Sequence, residues 1–169
     1  MAGAGLDAGV VGFAVHSTTL VTNSLIERKG ATTALVTTRG FRDILELGRE
    51  QLYDIYDLFA PPPDPLIPRP LRLEVSERVD AWGNVLLPPD DASVAAVIDA
   101  LKSAGVEAVA VVLLHAYRNP TNERAVADAI RAALPDVAIS LSSDIAPIAG
   151  EYERASTTAA DAFTKPLVR

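Results

Sequence analysis

The chain has 169 residues, enough for one domain with a real core, and its 49% apolar and 22% charged content is that of a soluble globular protein. Its 15 Lys and Arg against 22 Asp and Glu give a formal charge of −7, and the basic residues are scattered, which argues against a nucleic-acid surface. The absence of cysteine excludes disulfides, thiolate metal sites and a cysteine nucleophile.

No apolar run reaches the roughly 18 residues of a membrane helix. The start, MAGAGLDAG, lacks the basic and apolar regions of a signal peptide, so a cytoplasmic protein is expected. Val10–Val15 is short, apolar and β-branched, the pattern of a buried strand. Thr18–Lys29 then has helical spacing, with Gly30 where a C-cap glycine belongs. Thr32–Thr38 (TTALVTT) reads as a second strand and Gly40–Gly48 as a short helix. Ala60–Pro70 (APPPDPLIPRP) carries six prolines, which predicts an extended, exposed connection. LRLEVSERVD alternates at period two, and WGN supplies a turn before VLLPP; together they predict a hairpin.

The second half has a different texture. DDASVAAVIDALKSAG has Asp caps, apolar Val94, Val97, Ile98 and Leu101, and a terminating Gly105. VEAVAVVLLH is a continuous apolar run, as in a strand covered on both faces. NPTNERAVADAIRAALPD opens with Asn119 as cap and Pro120 at the first helical position, and VAISLSS follows as a strand. The tail from Gly150 reads as a further helix. The fold class expected is α/β, a mixed sheet with parallel βαβ units and a β-hairpin. Three segments are expected within one incomplete domain: 1–59, a first α/β segment; 60–88, the proline-rich connection and hairpin; 89–169, a second α/β segment.

Both histidines, His16 and His115, directly follow a strand-like run. The other two strand ends are polar as well, with Thr37, Thr38 and Arg39 after one and Ser142, Ser143 and Asp144 after the other. Open α/β sheets bind ligands beyond the carboxyl ends of their strands. These residues, with Ser17, Thr18 and Thr19, therefore suggest a site for an anionic or carbonyl-bearing small molecule. The competing reading is that the hydroxyls cap helices and the histidines bond loop backbone. Glu151, Arg154 and Thr158 share one helical side, which serves equally a site or a solvated salt-bridged face. No phosphate-cradling glycine loop, paired-histidine zinc motif or nucleophile elbow is present.

HSTTLVTNSLIERKGATTALVTTRGFRDILELGRE, YDIYDLFAPPPDPLIPR, ERVDAWGNVL, GVEAVAVVLLHAYRNPTNE and EYERASTTAADAFTKPLV, in this order, resemble the N-terminal region of the hydantoinase A and oxoprolinase family, which includes acetone and acetophenone carboxylase subunits. The resemblance runs from about Gly5 onward. It implies a fold related to actin and the sugar kinases, and an ATP- and Mg²⁺-dependent enzyme that activates the carbonyl of a cyclic amide by phosphorylation. It also implies a B-type partner subunit. The alternatives are a ketone carboxylase subunit, or a non-catalytic homologue that only binds a partner.

Carried onto this chain, His16 and His115 are the candidate catalytic residues. Ser17, Thr18, Thr19, Asn23, Thr38, Arg39, Glu151 and Arg154 are the candidate substrate- or phosphate-binding residues, and no metal ligand is expected. Two departures stand out. Ser17 replaces the family's usual glycine, and the Asp-Gly-Gly-Thr phosphate loop that precedes this region in the family is absent. The chain is therefore expected to be a fragment that is inactive and cofactor-free alone, and to self-associate.

Overall fold

The computed structural model describes residues 19–49, 56–57, 59 and 63–168. The expected strand at Val10–Val15 lies outside them. Four strands form one sheet in the order β2-β1-β5-β6: β1 (Thr33–Thr38), β2 (Arg72–Val75), β5 (Ala108–Val112) and β6 (Ala138–Leu141). Every pairing is parallel, with Thr37 opposite Val112, Thr38 opposite Val75 and Val111 opposite Leu141. Thr38, Val75, Val112 and Leu141 therefore all end on one edge. A separate antiparallel hairpin pairs β3 (Arg78–Val79) with β4 (Val85–Leu87).

β1 and β5 are buried along their whole length because helices cover both faces. Alternate residues serve the two layers. Ala34, Val36, Val109 and Val111 pack with Val94, Val97 and Leu101 of α3 (Asp91–Ala104) and with Val126, Ala127 and Ile130 of α4 (Thr121–Ala133). Leu35, Ala108, Ala110 and Val112 face Ala155, Ala159 and Ala162 of α6 (Glu151–Thr164). Alanine on both sides lets α6 lie close to the sheet. Each fully buried Val or Leu contributes about 1.5–3 kcal/mol. Three shorter α-helices are α1 (Leu20–Ile26), α2 (Ile44–Leu47) and α5 (Ser142–Ile145), and Arg69–Leu71 and Lys165–Leu167 form single 3-10 turns.

α3 starts and stops as its sequence predicts: Asp90 accepts from Ser93 N at 2.8 Å, and Gly105 closes it in the left-handed region at φ +59°. Elsewhere local signals misassign details. LRLEV is not half of the hairpin; it is the edge strand of the main sheet, because alternation identifies a strand without identifying its partner. The proline segment is not wholly exposed: Ile67 is fully buried in the α6-side core, and its carbonyl accepts from Arg72 Nε at 2.9 Å. Gly30 is not a C-cap; the left-handed residue after α1 is Arg28 (φ +54°). A Cβ on Gly30 would lie 2.2 Å from the Phe163 ring, so close approach, not backbone freedom, calls for glycine there. α4 begins one residue later than expected, at Thr121, whose N–H is capped by Asn119 Oδ1 at 3.0 Å.

Candidate functional site at the carboxyl edge of the sheet

Parallel strands expose their last carbonyls and N–H groups at one edge, and here buried side chains answer them. Thr38 is fully buried; its hydroxyl donates to Glu77 Oε1 and accepts from Leu114 N at 2.8 Å. Glu77 Oε2 accepts from Asn122 Nδ2 at 2.7 Å, and that amide also donates to Leu87 O at 3.0 Å. Glu123, fully buried in the first turn of α4, receives Ser142 Oγ at 2.5 Å and Leu113 N at 3.3 Å on Oε1. Its Oε2 receives Ser143 N at 2.9 Å.

Arg154, in the first turn of α6, is 1% exposed. Nη1 donates to Ile148 O at 2.9 Å and Nη2 to Leu113 O at 3.0 Å, and the guanidinium lies 5.5 Å from the Tyr117 ring centroid. Nε is buried without a hydrogen-bond partner among the described residues. Burial lowers the guanidinium pKa from its ordinary value, opposed by the carboxylates of Glu123 and Glu151. The group stays charged at neutral pH. A small cleft opens beside it, lined by Thr37, Phe41, Ile44, Val112, Leu114, Glu151 and Arg154. The cleft is mostly apolar and small, about 10 Å³, room for a single water, with Arg154 and Glu151 in its wall.

His115 follows β5, half-buried, at φ +55°. Its Nδ1 is buried without a partner among the described residues, and its ring meets Tyr117 edge-on at 6.0 Å. Arg39 is exposed at the end of β1, its N–H donating to Val75 O at 2.9 Å. The fold thus gathers Thr37, Leu114, Glu151 and Arg154 around one cleft, with Thr38 held beneath as an internal clamp. Thr19 and Asn23 are exposed on and before α1 and do not line the cleft; Thr19 makes no side-chain cap. His16, Ser17 and Thr18 lie outside the described residues. Sequence reasoning missed Glu77, Asn122 and Glu123. A glutamate in the first turn of a helix reads from sequence as a complement to the helix dipole, not as a buried acceptor of three hydrogen bonds.

The model of the hydantoinase/oxoprolinase N-terminal region matches residues 2–134. The chain belongs to this family. Among the relatives of this hydantoinase/oxoprolinase region, caprolactamase subunit alpha from Pseudomonas jessenii is 36% identical over 91% of this chain and 22% of its own length. The 5-oxoprolinase of Saccharomyces cerevisiae is 31% identical, over 90% of this chain and 14% of that protein. The crystal structure of the ATP-dependent caprolactamase from Pseudomonas jessenii superimposes with a TM-score of 0.85 at 35% identity, covering 91% of this chain and 23% of that one. A nucleotide-free acetone carboxylase structure gives 0.78 at 28% identity, over 88% and 22%. The chain spans about a fifth of the caprolactamase and acetone carboxylase chains it matches. Among the described residues, no helix is long and apolar enough to cross a membrane.

Proposed function

We propose that this hydantoinase/oxoprolinase region forms the carbonyl-holding wall of an ATP-dependent enzyme that opens a cyclic amide. The observation that carries the reading is the unpartnered Nε of buried Arg154 beside an apolar cleft. A lactam presents one carbonyl oxygen and one N–H on an otherwise apolar ring. The cleft holds about 10 Å³, so in this reading the lactam sits against its mouth, with the unpartnered Arg154 Nε–H as donor for that oxygen and Glu151 as acceptor for the ring N–H. A fixed guanidinium in a poorly solvated cleft stabilises the negative charge that grows on the oxygen when the carbonyl is attacked. In this reading His115 orients the ligand. His16, Ser17, Thr18 and Thr19, with Asn23 and Arg39, take the anionic end of the reaction.

ATP does not fit the described residues. The cleft is mostly apolar, and the N–H groups of Gly40, Gly48, Gly83 and Gly105 already donate within the fold. No described loop offers the row of glycine N–H groups that cradles phosphates. Among the described residues, no cluster of three His, Asp or Glu side chains is placed to hold a metal. We therefore assign the nucleotide and its Mg²⁺ to other parts of the enzyme, assembled in the cytoplasm with a B-type subunit, and route no step of this wall through them.

The test is turnover in the full-length protein with its partner subunit, using caprolactam and 5-oxoproline as substrates. Arg154→Lys should lower ATP-dependent ring opening by about 10²-fold or more, and His16→Ala by roughly 10²–10⁴-fold. Normal turnover with a depressed melting point in both variants would assign the residues to the scaffold. The likeness to acetone carboxylase supports a second reading, in which the same guanidinium polarises a ketone. Bicarbonate-dependent consumption of acetone, with no lactam opening, would select it.

A further inference from the structure

Leu113 and Leu114 lie just beyond β5, and side chains answer backbone groups of both. Leu113 N donates to Glu123 Oε1 at 3.3 Å, Leu113 O accepts from Arg154 Nη2 at 3.0 Å, and Leu114 N donates to Thr38 Oγ1 at 2.8 Å. Three elements (α4, α6 and β1) thus hold two consecutive residues. A turn follows, Ala116 N donating to Leu113 O at 3.3 Å, and its third residue is His115 at φ +55°. That region is one a turn normally gives to glycine; a residue with a Cβ stays there at a cost of about 1 kcal/mol or more. The next backbone group is fixed as well, His115 O accepting from Arg118 N at 2.9 Å and Asn119 N at 3.2 Å. A strained histidine with a buried, unanswered nitrogen is kept when its surroundings over-determine the backbone.

We propose that Glu123 is a positioning residue for His115. Its carboxylate ties the Leu113 amide to Ser142 and Ser143 at the start of α5, so the end of β5 and the end of β6 move as one body. The imidazole is thereby held at the same strand edge as Arg154, with Tyr117 between them: 6.0 Å from the histidine ring and 5.5 Å from the guanidinium. Glu123 also favours the charge of Arg154. One carboxylate is thus tied both to the strand end that carries His115 and to the charge of Arg154. The inference rests on the reading of this edge as the ligand site.

The test reads His115 directly in the isotopically labelled chain. Glu123→Gln keeps the size of the side chain but puts a donor where one of two acceptor oxygens stood, against three donors. Folded Glu123→Gln should show exchange of the Leu113 and Leu114 amides faster by about tenfold or more, and displaced imidazole resonances of His115. The spectrum of His16→Ala identifies which histidine is which. Unchanged His115 resonances in the folded variant would overturn the proposal and leave Glu123 as a core carboxylate only. If Glu123→Gln does not fold, Ser142→Ala removes one donor to the same carboxylate: a smaller shift at His115 supports the proposal and none overturns it. Adding 5-oxoproline to the unaltered chain is a separate measurement. Silence at His115 and Arg154 there would remove the ligand reading without touching the positioning result.

Discussion

Arg154 of α6 donates from Nη2 to the carbonyl oxygen of Leu113, 3.0 Å away at the end of β5. This bond joins the helix on one face of the sheet to the strand that carries His115. The Nε of the same guanidinium is buried without a hydrogen-bond partner among the described residues. The residue is thus both a strut and a candidate donor, and the two roles separate by substitution. Arg154→Met leaves Leu113 O without its guanidinium donor and Ile148 O without a partner in the hydrogen bond it now receives. A loss of about 2–4 kcal/mol is expected, read as a lower urea midpoint at unchanged m.

Thr38 tests the adjacent clamp. Thr38→Val keeps the shape but removes the hydroxyl, so Leu114 N and Glu77 each lose a buried partner. A loss of about 1–3 kcal/mol is expected from urea unfolding, whereas Thr38→Ser should stay within about 1 kcal/mol of the parent. Equal losses would mean that the methyl group matters and the hydroxyl does not.

Gly30→Ala probes close approach. The added Cβ would meet the buried Phe163 ring at 2.2–2.5 Å, and Ala31 N is tied to Phe163 O at 3.0 Å, so backbone and ring cannot separate freely. Overpacking of this kind costs about 1–3 kcal/mol, visible as a lower melting temperature. A melting temperature unchanged by the substitution would show that the ring moves aside.

The hairpin turn should respond to pH. The Asn84 side-chain amide, aided by the N–H groups of Asn84, Trp82 and Gly83, holds the Asp80 carboxyl below its ordinary value. A depressed carboxylate contributes order that is present above its unfolded value and is lost as pH falls through the folded one. Amide resonances of Trp82 and Asn84 should therefore move to loop-like positions only on acidification below the ordinary aspartate range. Asp80→Asn should abolish that transition.

The chain without its partner should release no phosphate from ATP with Mg²⁺, since the N–H groups of Gly40, Gly48, Gly83 and Gly105 are already engaged and no described loop offers a glycine-rich phosphate cradle. A malachite-green assay checks this; phosphate release abolished by a point substitution within the chain would contradict it.

Much of the fold was legible because its signals are local. Asp90 and Gly105 bracket α3, and the unbroken apolar run at Ala108–Val112 marks a strand covered twice. The strand-end position of Thr37, Thr38 and Arg39 was legible too, whereas Arg154 read only as sharing a helix side with Glu151 and Thr158. What the sequence hid was partnership. Nothing in LRLEV says whether its neighbour is β1 or β4, and nothing in NPTNE says that Glu123 turns inward. Both depend on residues far along the chain, Leu35 to Thr38 in one case and Ser142 in the other. Ile67 was hidden for the same reason: six prolines describe the backbone of that segment, not the core that the Ile67 side chain reaches.

The central claim is that the cleft beside Arg154 receives a carbonyl ligand. Titration of the ¹⁵N-labelled chain with caprolactam and with 5-oxoproline tests it most directly. The account predicts saturable shifts concentrated at Thr37, Phe41, Val112, Leu114, Glu151 and the Arg154 Nε–H, and their loss in folded Arg154→Lys. Saturable shifts confined to the groove between Val21 and Lys165, or no shifts at the cleft with either lactam, would contradict it.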